Sequence, residues 1–185
     1  MPALDVIDRF CTLTRHALQR RGARANTAIL MYHRINRARQ RLPWSYYSLD
    51  VPPQVFTRQL QFLYNHDIAV VPLTQLLTMP GSIPAVSITF DDGYRDFYDH
   101  AFALLRQYQF PATVFLPTAL IDAGAGQFNG SALLSWAQVR KLHRAGIEFG
   151  SHTATHPRLW QIPPAQQQEE LQHSKARLEE QLQTP

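Results

Sequence analysis

The chain has 185 residues, of which 45% are hydrophobic and 17% charged. At roughly 150 residues per domain, that suits one globular domain with a core of its own and excludes two full ones. Eighteen Lys and Arg against fourteen Asp and Glu leave a formal charge of +4, too small to mark a nucleic-acid binder, and no nucleic-acid recognition motif accompanies it.

The first predicted element is an amphipathic helix over residues 5–20, where Val6, Phe10, Leu13 and Ala17 share a face and Gly22 gives a natural stop. Residues 1–26 read as this helix and a linker, set before the body of the domain at 27–185. The front of the chain is basic: residues 1–41 hold nine Arg against Asp5 and Asp8, while the rest holds nine basic and twelve acidic residues. A solvated helix face and loop explain the cluster, with an anionic partner as the alternative. Cys11, the only cysteine, excludes an internal disulfide framework and a Cys-based zinc cluster. Asp5, Asp8 and Arg9 interrupt the stretch where an export signal keeps its apolar segment, and no run approaches the roughly 18 apolar residues of a membrane span. By that criterion alone the expected location is cytoplasmic.

AILMYH (28–33) is almost continuously apolar and predicts a buried strand, followed by an Arg-rich loop through Pro43. A Pro-initiated helix follows over 53–66, with Val55, Phe56, Leu60, Phe62 and Leu63 on a broad apolar face, then a strand over 68–73. The alternation continues with a short helix at TQLLTM, a strand at 85–90, a helix at 97–108 and a strand at 112–117. A helix at 135–146 with its Gly stop, a strand at 147–152 and a helix at 165–182 complete it, the last with Leu171, Leu178 and Leu182 on one stripe. The strands lack clean polar alternation, so both faces of each are expected to be covered. Five strand–helix units predict a parallel α/β architecture, either a barrel or an open sheet. A closed barrel commonly takes about 250 residues, so a barrel here is expected to be incomplete.

The strongest local signal for chemistry is SITFDDGYRDF (87–97), in which a buried strand delivers Asp91 and Asp92 side by side and Gly93 permits a tight exit. The C-terminal ends of parallel strands are where active sites of this architecture lie, although DDG alone is equally compatible with a plain turn. The second signal is GSHTATHP (150–157), again at a strand end, with His152 and His156 four residues apart. If one helical turn follows that strand, both imidazoles face the same side and can grip one cation; a capped turn with one satisfied His is the alternative. Two His with one Asp make a facial triad suited to zinc or another first-row divalent ion. One carboxylate of the pair then binds the ion while the other takes a proton from metal-bound water. Sequence order does not say which does what.

TFDDGY (89–94) and SHTATHP (151–157) resemble the first two motifs of the polysaccharide deacetylase family, the NodB-homology domain of carbohydrate esterase family 4. ILMYHRI (29–35), VPPQVFTRQLQFL (51–63) and IAVVPLTQLL (68–77) are similar to the leader region of the bacterial branch that includes poly-β-1,6-N-acetylglucosamine deacetylases. The resemblance covers about residues 27–182. It implies a distorted (β/α) barrel of the NodB type, incomplete here with about five parallel strands, and metal-dependent removal of N-acetyl groups from an N-acetylglucosamine polysaccharide. Carried over by position, Asp91 is the general base, Asp92, His152 and His156 hold the metal, and His33 lies on the substrate side, unless it is merely structural. The expected ion is zinc, with nickel, cobalt or iron as replacements. Trp44, Tyr46 and Tyr47 are placed to stack on a sugar or simply to pack. Of the family's later motifs, an Arg-Pro segment and an Asp/Trp segment do not follow, and the one Leu-x-His, Leu171-Gln172-His173, sits far into the predicted last helix and is not read as the family's general acid. Residues 27–185 therefore read as the N-terminal two thirds of the domain, with self-association through an unfinished sheet edge as a further expectation. A weak or inactive domain that retains metal or sugar binding is the alternative function. Family members often act outside the cytoplasm, which leaves the location open.

Overall fold

The computed structural model describes residues 27–36, 50–80, 84–124 and 127–184. Its first half comprises β1 (Thr27–Tyr32), α1 (Pro53–Asn65), β2 (Ala69–Val70), the one-turn α2 (Leu73–Leu76) and β3 (Ala85–Phe90). A π-helical turn (Phe97–Ala101) then runs into α3 (Phe102–Tyr108), followed by β4 (Thr113–Leu116) and α4 (Thr118–Asp122). The remainder is the hairpin β5 (Gln127–Phe128) and β6 (Ser131–Ala132), α5 (Trp136–Arg144), β7 (Glu148–Ser151), a 3-10 turn (Leu159–Gln161) and α6 (Pro164–Leu182).

Five strands form the main sheet, every pairing parallel, as expected when helices carry the chain back between strands. β1 lies along the whole of β3, from Thr27 beside Ala85 to Tyr32 beside Phe90. β2 pairs with the first two residues of β3 and β4 with its last two, while β7 pairs with β4. The described residues thus form an open arc of the expected (β/α) barrel. All the parallel strands point their C-terminal ends the same way, which gathers residues 33, 91–94, 117 and 152–156 at one rim.

The core lies behind that rim. β3 is buried throughout, and Phe90 meets Tyr32, Phe56 and Phe97 at ring-centroid distances of 5.4, 5.9 and 4.7 Å. α1 starts at Pro53, where a missing N–H costs nothing, and buries Val55, Phe56, Leu60 and Leu63 against the sheet. Its buried Gln59 accepts a hydrogen bond from the Tyr32 hydroxyl at 3.1 Å, which satisfies both polar groups inside the core. Side chains of this size stabilise the fold by about 1.5–3 kcal/mol each when fully buried.

Some expectations are corrected. Among the described residues β1 is covered on one face only, with Ile29 and Met31 52% and 61% exposed on the other. The strand expected over 68–73 contracts to Ala69–Val70, since Pro72 has no N–H to continue a ladder and instead precedes α2. On α6 only Leu178 of the leucine stripe is buried, whereas Leu171 is exposed. The hairpin was not anticipated. The helix expected over 5–20 and the aromatics Trp44, Tyr46 and Tyr47 lie outside the described residues. Among the described residues no helix is long and apolar enough to cross a membrane.

Candidate metal centre

β3 ends at Phe90, and the Asp91 N–H still donates to the Tyr32 carbonyl at 2.9 Å, so the first carboxylate is carried on sheet-like backbone. The chain then turns through two left-handed residues, Asp92 at φ 71° and Gly93 at φ 62°. Gly93 meets two demands at once: its φ disfavours any side chain, and a Cβ there would lie 2.5 Å from Leu116 Cδ2 on the neighbouring strand. This reversal leaves Asp92 4% exposed and directed along the rim.

The second motif arrives from β7, where Gly150 has no room for a side chain beside Phe115. His152 donates its N–H to the Leu116 carbonyl at 3.0 Å, which pins the start of the loop to β4. The segment is not the helical turn considered from the His spacing. Thr153 (φ 65°) and His156 (φ 60°) are both left-handed, and the Thr153 hydroxyl oxygen accepts from the His156 N–H at 3.0 Å. Left-handed backbone at such residues costs of order 1–3 kcal/mol each and persists only where surrounding contacts dictate it. The imidazoles meet by this route, with ring centroids 4.8 Å apart.

The two motifs converge on one oxygen. Asp92 Oδ1 lies 3.4 Å from His152 Nε2 and 3.1 Å from His156 Nε2, and one ligand atom from each of the three residues falls within 4.8 Å of the others. Oδ1 is buried and faces both imidazole nitrogens at these distances. A buried carboxylate oxygen facing two imidazole nitrogens is a donor set that fits zinc or a related divalent ion.

The environment separates the two acids. Burial pushes the Asp91 carboxyl up from its ordinary value and the Asp92 charge adds to this, against the opposing influence of His152, His33 and His156. Burial also opposes ionisation of Asp92, but His152, His156 and His33 together hold its carboxyl below the ordinary range. His33, at the end of β1, therefore lies close enough to favour both carboxylates. All five residues singled out from the sequence, Asp91, Asp92, His152, His156 and His33, occupy this rim.

The hairpin adds residues that the motifs did not reveal. Arg95 N–H donates to the Ala132 carbonyl at 2.8 Å and Leu134 N–H to the Gly93 carbonyl at 2.9 Å, so β6 is laced to the DDGY turn. Phe128 packs against the His156 ring at 5.0 Å and stacks on Tyr94 at 6.2 Å. Tyr94 is buried behind Asp92; burial and the Asp92 charge push its hydroxyl up to about 12. Arg34 lies over the Tyr94 ring at 5.3 Å, pairs with Asp50 at 2.8 Å and donates to Ser131 Oγ at 3.0 Å. The readable signal was Asn129-Gly130, whose positive φ angles of 49° and 73° make the two-residue hairpin turn that this dipeptide favours. Beside the imidazoles lies a cavity of about 380 Å³, walled by Pro157, Leu159, Trp160 and Leu171.

The family model described as polysaccharide deacetylase matches residues 79–185, more than half of the chain and both site motifs. A poly-β-1,6-N-acetyl-D-glucosamine N-deacetylase of Staphylococcus epidermidis is 37% identical over 109 residues, covering 56% of this chain and 37% of the relative. The Staphylococcus aureus protein of the same description is 28% identical over 142 residues, covering 69% of this chain and 48% of the relative. The chain spans half or less of the length of these curated relatives. Among solved structures, the Streptococcus pyogenes deacetylase PplD in complex with acetate superimposes with a TM-score of 0.73 at 30% identity, covering 85% of this chain and 70% of that one. With its two motifs on the rim of a parallel arc and its sequence matched across both, the chain belongs to the polysaccharide deacetylase family.

Proposed function

We propose that this chain binds one divalent metal ion, zinc first, through Asp92, His152 and His156, and hydrolyses N-acetyl groups on an N-acetylglucosamine polysaccharide. The observation that supports this most is the convergence of those three ligand atoms with Asp91 as an adjacent second carboxylate. The staphylococcal relatives are described as N-deacetylases of such a polysaccharide, and the streptococcal neighbour was solved with acetate, the acid that deacetylation releases. In this reading residues 27–185 carry the metal-binding part of a deacetylase domain and residues 1–26 precede it.

Such an ion, when bound, polarises an amide carbonyl and lowers the pKa of water. Asp91, pushed up by burial, takes the proton of the water that adds to the acetamide carbonyl. The C–N bond then breaks as the nitrogen takes up the proton that Asp91 received, returned directly or through solvent, which releases acetate and leaves the sugar amine. His33 lines the substrate side of the same rim. The cavity at Trp160 falls within the size range of small-ligand sites, and the exposed indole offers a flat apolar surface to a pyranose ring.

The test is acetate release from a β-1,6-linked N-acetylglucosamine oligomer by the zinc-loaded chain, compared with His152→Ala. The parent is expected to release acetate and the variant to lose at least about a hundredfold in rate. Stoichiometric zinc uptake without release would leave a metal-binding domain. Absence of both zinc uptake and acetate release would overturn the reading.

A further inference from the structure

The loop between the two imidazoles is gripped from outside the sheet by one side chain. Glu170, in the second turn of α6, turns its carboxylate toward the loop: Oε2 accepts from the backbone N–H groups of Ala154 and Thr155, both at 2.8 Å, and Oε1 accepts from the Thr155 hydroxyl at 2.7 Å. The carbonyls of the same loop face the other way. Thr153 and Ala154 accept from the N–H groups of Thr118 and Ala119 at the start of α4, at 3.3 and 2.9 Å. The loop is thus held by its carbonyls on one side and by its central N–H groups on the other.

We propose that Glu170 is a positioning residue of the metal centre, holding the left-handed backbone between His152 and His156 so that both imidazoles reach Asp92. The proposal rests on the metal reading above. Thr153 and His156 sit at φ 65° and 60°, and strain of this kind relaxes when a restraining contact is removed. Three hydrogen bonds converge on this one side chain, two of them from adjacent backbone N–H groups, so a single residue of α6 suffices as the restraint. Glu170 touches neither imidazole directly among its hydrogen bonds; its influence runs through the backbone of residues 154 and 155.

Two measurements test this. Zinc affinity by chelator competition should fall about tenfold or more in Glu170→Ala, the usual scale for a partner that orients a ligand. Glu170→Gln keeps an acceptor oxygen for the two N–H groups and should lose less than about threefold. Glu179→Ala removes the same charge from the same helix, at a residue paired with Lys175, and should leave affinity unchanged. In the metal-free protein, amide exchange at Ala154 and Thr155 should quicken about tenfold in Glu170→Ala while the β3 amides keep their protection. Equal zinc losses in the Ala and Gln variants would assign the effect to charge alone and overturn the proposal, as would unchanged exchange at Ala154 and Thr155. A parent chain that takes up no zinc overturns the metal reading itself, a failure that the exchange measurement tells apart from failure of the loop restraint.

Discussion

Burial pushes the Asp91 carboxyl up while the surrounding histidines hold that of Asp92 down, so two adjacent acids meet the same solvent pH in different states of readiness for protons. Their substitutions should separate accordingly. Asp91→Asn is expected to bind zinc within about threefold of the parent and to lose acetate release by at least about a hundredfold. Asp92→Asn is expected to lose zinc affinity by at least about tenfold, because a neutral amide oxygen is a poorer ligand. Calorimetric titration of both variants decides it: equal losses of affinity would mean that both acids hold the ion. Gly93 makes a second demand at this scale. An Ala there adopts φ 62° with its Cβ 2.5 Å from Leu116 Cδ2, combining left-handed strain with overpacking. Gly93→Ala should lower unfolding stability by about 2–4 kcal/mol in a denaturant titration, and a loss below about 1 kcal/mol would show that Leu116 gives way.

Among the elements, α6 binds the arc together through more than Glu170. Its Arg177 donates to Asp122 at the end of α4 at 2.7 Å, and Trp136 on α5 donates to the same carboxylate at 2.8 Å. Burial opposes ionisation of Asp122, but these two donors outweigh it and hold its carboxyl below the ordinary value of 3.8. A carboxyl depressed in the folded state contributes stability that is present above its unfolded value and lost as pH falls through its folded one. Asp122→Asn should therefore melt below the parent at neutral pH, with the gap closing as pH falls below about 4. A gap independent of pH would mean that shape, and not charge, is what Asp122 supplies. Much at this scale was legible in the sequence. The run 85–90 announced β3 to the residue, since six apolar or small residues without alternation suit a strand buried on both faces. The Asn129-Gly130 dipeptide announced a hairpin that strand counting passed over, because strands of two residues carry no periodicity. The left-handed route from His152 to His156 was not legible. Four-residue spacing describes a helical turn equally well, and the choice was made by contacts with Leu116, α4 and Glu170, the last arriving from the next helix. Exposure on β1 was hidden for a related reason: an apolar strand reads the same whether one face or two are covered.

For the molecule as a whole, a ligand that binds only the folded chain stabilises it by mass action. Zinc at about a hundred times its dissociation constant should add about 2.7 kcal/mol of unfolding stability, and His152→Ala should abolish most of that gain. An unchanged melting temperature on zinc addition to the parent would count against the metal centre. We propose that the outer edge of β7, unpaired among the described residues, allows association between copies, in which case light scattering should show mass rising with concentration. A constant monomer mass would show that this edge is protected. The spacing of the ligands also has a kinetic meaning. Asp92 precedes His152 by 60 positions, and the two meet only after β3 has paired with β4 and β4 with β7. His152 and His156 are close in sequence and can share an ion even in an unfolded chain, whereas Asp92 cannot join them until those non-local pairings exist. A chain refolding in zinc would then hold its ion loosely through two nitrogens at first, and the moment the oxygen closes on it would time the joining of β3 to β7 through β4.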